Sequence, residues 1–85
     1  MVKDEIEKKL YKIFKPTVLN IVDESEKHRG HAGWREQGET HFHVMIISDE
    51  FSGMSRVKRH QAVYSALDEE MKQSIHALSL DIRSE

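Results

Sequence analysis

Residues 39–48 read Glu39-Thr40-His41-Phe42-His43-Val44-Met45-Ile46-Ile47-Ser48, and this segment decides the fold. Phe42, Val44 and Ile46 fall on one side of an extended chain, while His41, His43, Met45 and Ile47 fall on the other. That alternation predicts a strand, the strongest in the chain.

Upstream, residues 17–22 are short and β-branched and predict a second strand. Between the two lies a polar stretch, residues 23–38, with glycines at 30, 33 and 38. It is too long for a tight turn and reads as a flexible loop. Two strands joined by a loop without a helix predict an antiparallel pair. Residues 3–14 carry Ile6, Leu10, Ile13 and Phe14 at helical spacing, and Pro16 ends that helix by forcing Lys15 out of the helical region.

Downstream, residues 51–54 form a turn and Ser55 stands where a helix N-cap belongs. Residues 56–73 read as the longest helix, with Val57, His60, Tyr64, Leu67 and Met71 on its apolar stripe. Residues 75–82 alternate, with Leu78, Leu80 and Ile82 together, and predict a third strand before a frayed end at 83–85. The order helix, strand, strand, helix, strand fits an α+β two-layer sandwich: a three-stranded sheet with helices on one face.

Eighty-five residues make one small domain, spanning 1–85, with 38% hydrophobic and 33% charged residues and a net charge of −2. No apolar run approaches the roughly 20 residues that span a bilayer, and the N-terminus has neither a secretory nor a mitochondrial pattern, so a cytoplasmic protein is expected. There is no cysteine and there are six histidines. A disulfide framework, a thiol nucleophile and an iron–sulfur cluster held by this chain alone are therefore excluded, and any metal would be bound by imidazole.

His28 and His31 lie three apart in the loop, a pattern open both to ligation and to plain solvation. His41 and His43 project from one strand face and can either chelate zinc or cover the solvent side of the sheet. His60 on the helix stripe reads as a core or boundary residue with one hydrogen-bond partner. His76 begins the last strand, where a ring stays reachable while its backbone is fixed. Trp34 either serves a partner surface or packs back on the sheet.

Asp68, Glu69 and Glu70 read as a solvated helix face, and no motif for nucleophilic, acid–base or phosphate chemistry is present, so an enzyme is not expected. Charge is segregated. Residues 51–64 contain Arg56, Lys58 and Arg59 and no acid, a net of +3, whereas residues 17–50 hold seven acids against three bases, a net of −4. The basic cluster at a helix start is a candidate phosphate contact.

Taken in order, Asp23-Glu24-Ser25 with His28, Glu39-Thr40-His41-Phe42, Phe51-Ser52-Gly53-Met54-Ser55-Arg56-Val57, Arg59-His60 with Val63-Tyr64, and His76-Ala77-Leu78-Ser79-Leu80 resemble the BolA family. The resemblance runs from about residue 15 to residue 82. It implies an α-β-β-α-α-β fold similar to the class II KH domain, but Phe51-Ser52-Gly53-Met54 does not supply the KH nucleic-acid loop. It also implies a monothiol glutaredoxin of the CGFS type as partner, sharing a [2Fe–2S] cluster in which glutaredoxin and glutathione give sulfur and this chain gives histidine. No cluster is then expected on the isolated chain. The family's histidine ligand matches His76, and a second, loop ligand matches His28 or His31. Some family members are described as DNA-binding regulators of morphology and stress genes, an alternative for which Arg56, Lys58 and Arg59 are the candidate surface. No membrane and no small-molecule substrate are implied.

Overall fold

The structure, a computed structural model, describes residues 1–30, 34, 35 and 38–84. Among these residues, three helices and three strands follow one another as α1 (Val2–Phe14), β1 (Val18–Asp23), β2 (His41–Ile47), α2 (Arg56–Ala66), α3 (Asp68–Gln73) and β3 (Ala77–Arg83), with 3-10 turns at Ser25–His28 and Asp49–Phe51. The sheet order is β1-β2-β3. β1 runs antiparallel to β2, and β3 runs parallel to it, in a register that sets His41 opposite Ala77 and Val44 opposite Leu80. A parallel pair needs a crossover, and the segment containing α2 and α3 provides it. The α-β-β-α-α-β order expected from the resemblance is the observed one.

The core follows from the strand pattern. Phe42, Val44 and Ile46 are buried on one face of β2 against Ile6, Leu10 and Phe14 of α1 and Val63 and Leu67 of the crossover. Phe14 meets Phe51 with ring centroids 4.8 Å apart, within the range favoured by aromatic pairs. α1 stops at Phe14 because Lys15 turns left-handed, at φ 46°, immediately before Pro16. Ser48 is buried and spends its hydroxyl on the carbonyl of Phe14 while accepting from the Glu50 amide, tying the end of β2 to the end of α1.

Five expectations need correction. Residues 56–73 are two helices, broken at Leu67 (φ −104°, ψ 21°), so α1 is the longest helix. Val57 and Tyr64 of the expected stripe face outward, and Val63 and Leu67 are the buried residues. Likewise Ile13 of α1 is exposed. Glu70 is not part of a solvated face. It is 6% exposed and receives the Lys9 ammonium at 2.9 and 3.0 Å on its two carboxylate oxygens. Finally, Arg83 is not frayed, since it lies in β3 and pairs with Asp81.

Candidate functional site

The parallel pairing of β2 and β3 brings the first residues of both strands to the same end of the sheet. There the Thr40 carbonyl accepts from the amides of His76 (2.8 Å) and Ala77 (3.2 Å). These two bonds anchor the backbone of His76 while its side chain stays exposed. The His76 ring lies against that of His41, with centroids 5.2 Å apart and planes inclined at 52°. His41 itself is buried. One imidazole of the pair is thus held inside the protein and the other is presented to solvent.

The wall behind His41 is polar and ordered. Thr40 Oγ1 lies 2.7 Å from His41 Nδ1, and the Thr40 amide and hydroxyl donate to Ser25 Oγ at 2.9 and 3.2 Å. The Ser25 hydroxyl donates in turn to Asp23 Oδ1, which also accepts from the Ser25 amide at 2.9 Å. Asp23 Oδ2 takes the Glu39 amide at 3.1 Å. Partial burial pushes the Asp23 pKa up, but the bonds from Ser25 and Glu39, with Lys3 nearby, outweigh it and hold the carboxyl below its ordinary range. The motif residues Asp23 and Ser25 are therefore linked physically to Thr40 and His41, across the long β1–β2 connection. Sequence reasoning gave Ser25 and Thr40 no part in the site. The available signal was Asp-x-Ser, in which a carboxylate caps the amide two residues on.

The other expected site residues are distributed as follows. His28 lies in the 3-10 turn Ser25–His28 that begins the connection, and His31 lies outside the described residues. His43 sits on the same strand face as His41, but its Nδ1 is 2.7 Å from Ser79 Oγ on β3, so the ring that pairs with His41 is His76. Among the described residues, no set of three His, Asp or Glu side chains converges as a metal cage, and the zinc reading of His41 with His43 gains no third ligand. His60 is a half-buried boundary residue with Nδ1 3.0 Å from the Arg56 carbonyl, as expected. Trp34 is half-buried, with the Arg29 guanidinium 4.9 Å from its ring centroid.

At the start of α2, Ser55 Oγ accepts the Lys58 amide at 3.1 Å, so the expected N-cap is present. Arg56 and Lys58 are exposed, whereas Arg59 is half-buried and gives its Nε–H to the Met54 carbonyl at 3.1 Å. The basic cluster therefore offers two free-standing cations and one that is partly tethered. Beside it Val57, His60 and Tyr64 line a shallow apolar depression, the outward face that the stripe reading had assigned to the core.

Comparison with known proteins agrees with the fold and with the motif order. The chain is 42% identical over 80 residues to a DNA-binding transcriptional regulator BolA of Escherichia coli (strain K12), covering 94% of this chain and 72% of that protein. It is 46% identical over 79 residues to SufE-like protein 1, chloroplastic/mitochondrial, of Arabidopsis thaliana, covering 88% of this chain and only 21% of that protein. The solved structure of BolA1 from Arabidopsis thaliana superposes with a TM-score of 0.87 at 39% identity, covering 99% of this chain and 92% of the other. Residues 10–85 match the family described as BolA-like protein. With its fold, its ordered motifs and nearly its whole length in agreement, the chain belongs to the BolA-like protein family.

Proposed function

We propose that this chain is a partner-dependent iron–sulfur assembly or regulatory factor that binds a monothiol glutaredoxin and co-ligates a [2Fe–2S] cluster through histidine. The observation that carries this reading is the His41–His76 pair, in which a backbone-anchored but exposed imidazole rests on a buried one. An exposed imidazole at position 76, in a chain without thiolates, supports a histidine contribution to a cluster whose sulfur comes from elsewhere. With no cysteine in the chain, the thiolates that such clusters require must come from the glutaredoxin and glutathione.

Bound there, the cluster supplies electron storage and a transferable iron–sulfur unit. This chain supplies His76 as ligand, with His28 or His31 as the second. Imidazole in place of thiolate raises the reduction potential. The factor acts without catalysis of its own, in the cytoplasm, where glutaredoxin and glutathione are at hand.

The test is co-purification with the host's monothiol glutaredoxin in the presence of glutathione, followed by iron, acid-labile sulfide and visible absorption measurements. A red heterodimer is expected, and His76→Ala should change its spectrum or shorten its cluster lifetime. A colourless pair defeats the reading, and an unchanged spectrum in the variant removes His76 as ligand.

A second reading, as a DNA-binding regulator, is favoured by the exposed cations at the start of α2 and by the name of the Escherichia coli relative. The salt slope of duplex binding should fall by about 1 for each of Arg56 and Lys58 removed, and by less for the tethered Arg59. Binding that survives charge reversal at all three positions would rule this surface out.

A further inference from the structure

The two outer strands of the sheet treat their free edges differently. β3 carries Asp81 and Arg83 as an ion pair, and its Leu78 carbonyl is taken by the Tyr64 hydroxyl at 2.6 Å. Sheets commonly blunt an edge in such ways, with charges or a covering side chain. β1 has no comparable guard. Residues 17–22 contain neither a charge nor a proline, and Val18 and Val22 are each 42% exposed.

The direction of the backbone groups in β1 follows from its pairing. The Glu24 amide donates to the His41 carbonyl at 2.7 Å, continuing the register in which Asp23 lies opposite Phe42. The Thr40 carbonyl and the Ser48 amide instead face β3. The odd-numbered residues of β2 therefore bond to β1, and their partners are Val18, Asn20 and Val22. β1 has β2 as its only strand neighbour among the described residues, so the amides and carbonyls of Leu19 and Ile21 point to the open edge.

That edge is complementary to itself. Val18-Leu19-Asn20-Ile21-Val22 has the same chemistry read in either direction, with Asn20 at its centre. Antiparallel pairing of two copies about Asn20 sets Leu19 opposite Ile21 of the second copy, where their outward amides and carbonyls exchange bonds. Val18 then meets Val22 on the outer face. Asn20 meets its own counterpart in the closer, non-hydrogen-bonded position, where the two side-chain amides bond each other. The acidic end at Asp23 and Glu24 comes beside Lys15 and Thr17 of the second copy. A register centred on Ile21 also satisfies the backbone, but it sets Leu19 against Asp23 and Val18 against Glu24. The side chains choose Asn20.

We propose that β1 is an interface with a second copy of this chain, giving one continuous sheet with its two-fold axis at Asn20. One strand against one strand buries little surface, so the association is weak and depends on concentration. The seam lies across β2 from β3, and the proposal does not rest on the shared-cluster reading.

Sedimentation equilibrium of the full chain from about 10 μM to about 1 mM covers the range of a small interface. The weight-average mass should rise toward twice that of the chain. Asn20 is exposed, and Asn20→Lys or Asn20→Glu should hold the protein at the mass of one chain, because like charges then face each other at the axis. An equimolar mixture of the two variants should regain the dimer. Amide exchange by NMR reads the same seam in wild type without any substitution. Leu19 and Ile21 should exchange several-fold more slowly at the high concentration, while Asn20 and Val22 are protected throughout.

A wild type that keeps the mass of one chain at the highest concentration overturns the proposal. So does a dimer that survives both charge variants, or one that leaves the Leu19 and Ile21 amides unprotected, because its seam then lies elsewhere. Folded variants that stay single when mixed overturn the axis at Asn20. If wild type stays single and a foreign extended peptide protects Leu19 and Ile21 instead, the edge receives another protein and the second copy is excluded.

Discussion

The two carboxylate oxygens of Asp23 tie the end of β1 to Ser25 and to Glu39. Because its folded pKa lies below the ordinary value, it stabilises the fold above the unfolded-state pKa, and that contribution is lost as pH falls through the folded value. Asp23→Asn should therefore lower the urea midpoint near neutrality, and the gap to wild type should close as the pH is taken below about 4. A gap that stays constant across that range would mean that the carboxylate charge has no part in it. His76 shows how far single residues were legible. Its place beside the last strand could be read locally, although β3 begins one residue later at Ala77, but its neighbour could not, because His41 meets it only through strand pairing. His41 looked like either a zinc ligand or a solvent-side residue, and it is neither exposed nor paired with His43.

Among the elements, β2 was plain from its alternation and α2 was not. Val57, His60 and Tyr64 satisfy a helical stripe as well as any core residues do, yet small and β-branched Ala62, Val63 and Ala66 take the inward side. Tyr64 instead uses its hydroxyl, donating to the Leu78 carbonyl at 2.6 Å, to pin the outer edge of α2 to β3. The break at Leu67 was invisible because residues 56–73 contain neither glycine nor proline. Nothing local marks it, and a bifurcated bond from the Leu67 amide to Val63 and Tyr64 closes α2 there. The N-cap, by contrast, depends on one residue and could be read directly. Ser55→Ala should cost about 1 kcal/mol and lower the melting temperature by roughly 4–8 °C for a domain of this size. An unchanged melting temperature would show that water replaces the cap without loss.

For the molecule as a whole, stability is a narrow margin of roughly 4–13 kcal/mol for a chain of this length. One small core carries it. Leu10 is fully buried between α1 and the sheet, so Leu10→Ala should cost about 2–5 kcal/mol. That loss takes a large share of the margin, and denaturant titration should show a much lower midpoint with an unchanged slope. A loss below about 1 kcal/mol would mean that the core collapses around the gap. The two-layer architecture was legible because the sheet pattern demands a covering layer. The orientation of β3 was not, because a strand's own sequence does not record which way its neighbour runs.

That orientation has a consequence for anything that docks at the sheet end. His41 opens β2 and His76 immediately precedes the parallel strand β3, and no hairpin or local turn can bring them together. Their rings meet only after the whole crossover has packed and the last strand has closed. The pair is therefore a receipt for completed folding. A partner that recognises it will pass over nascent, truncated or misfolded chains, and inspection of quality is built into the act of recognition.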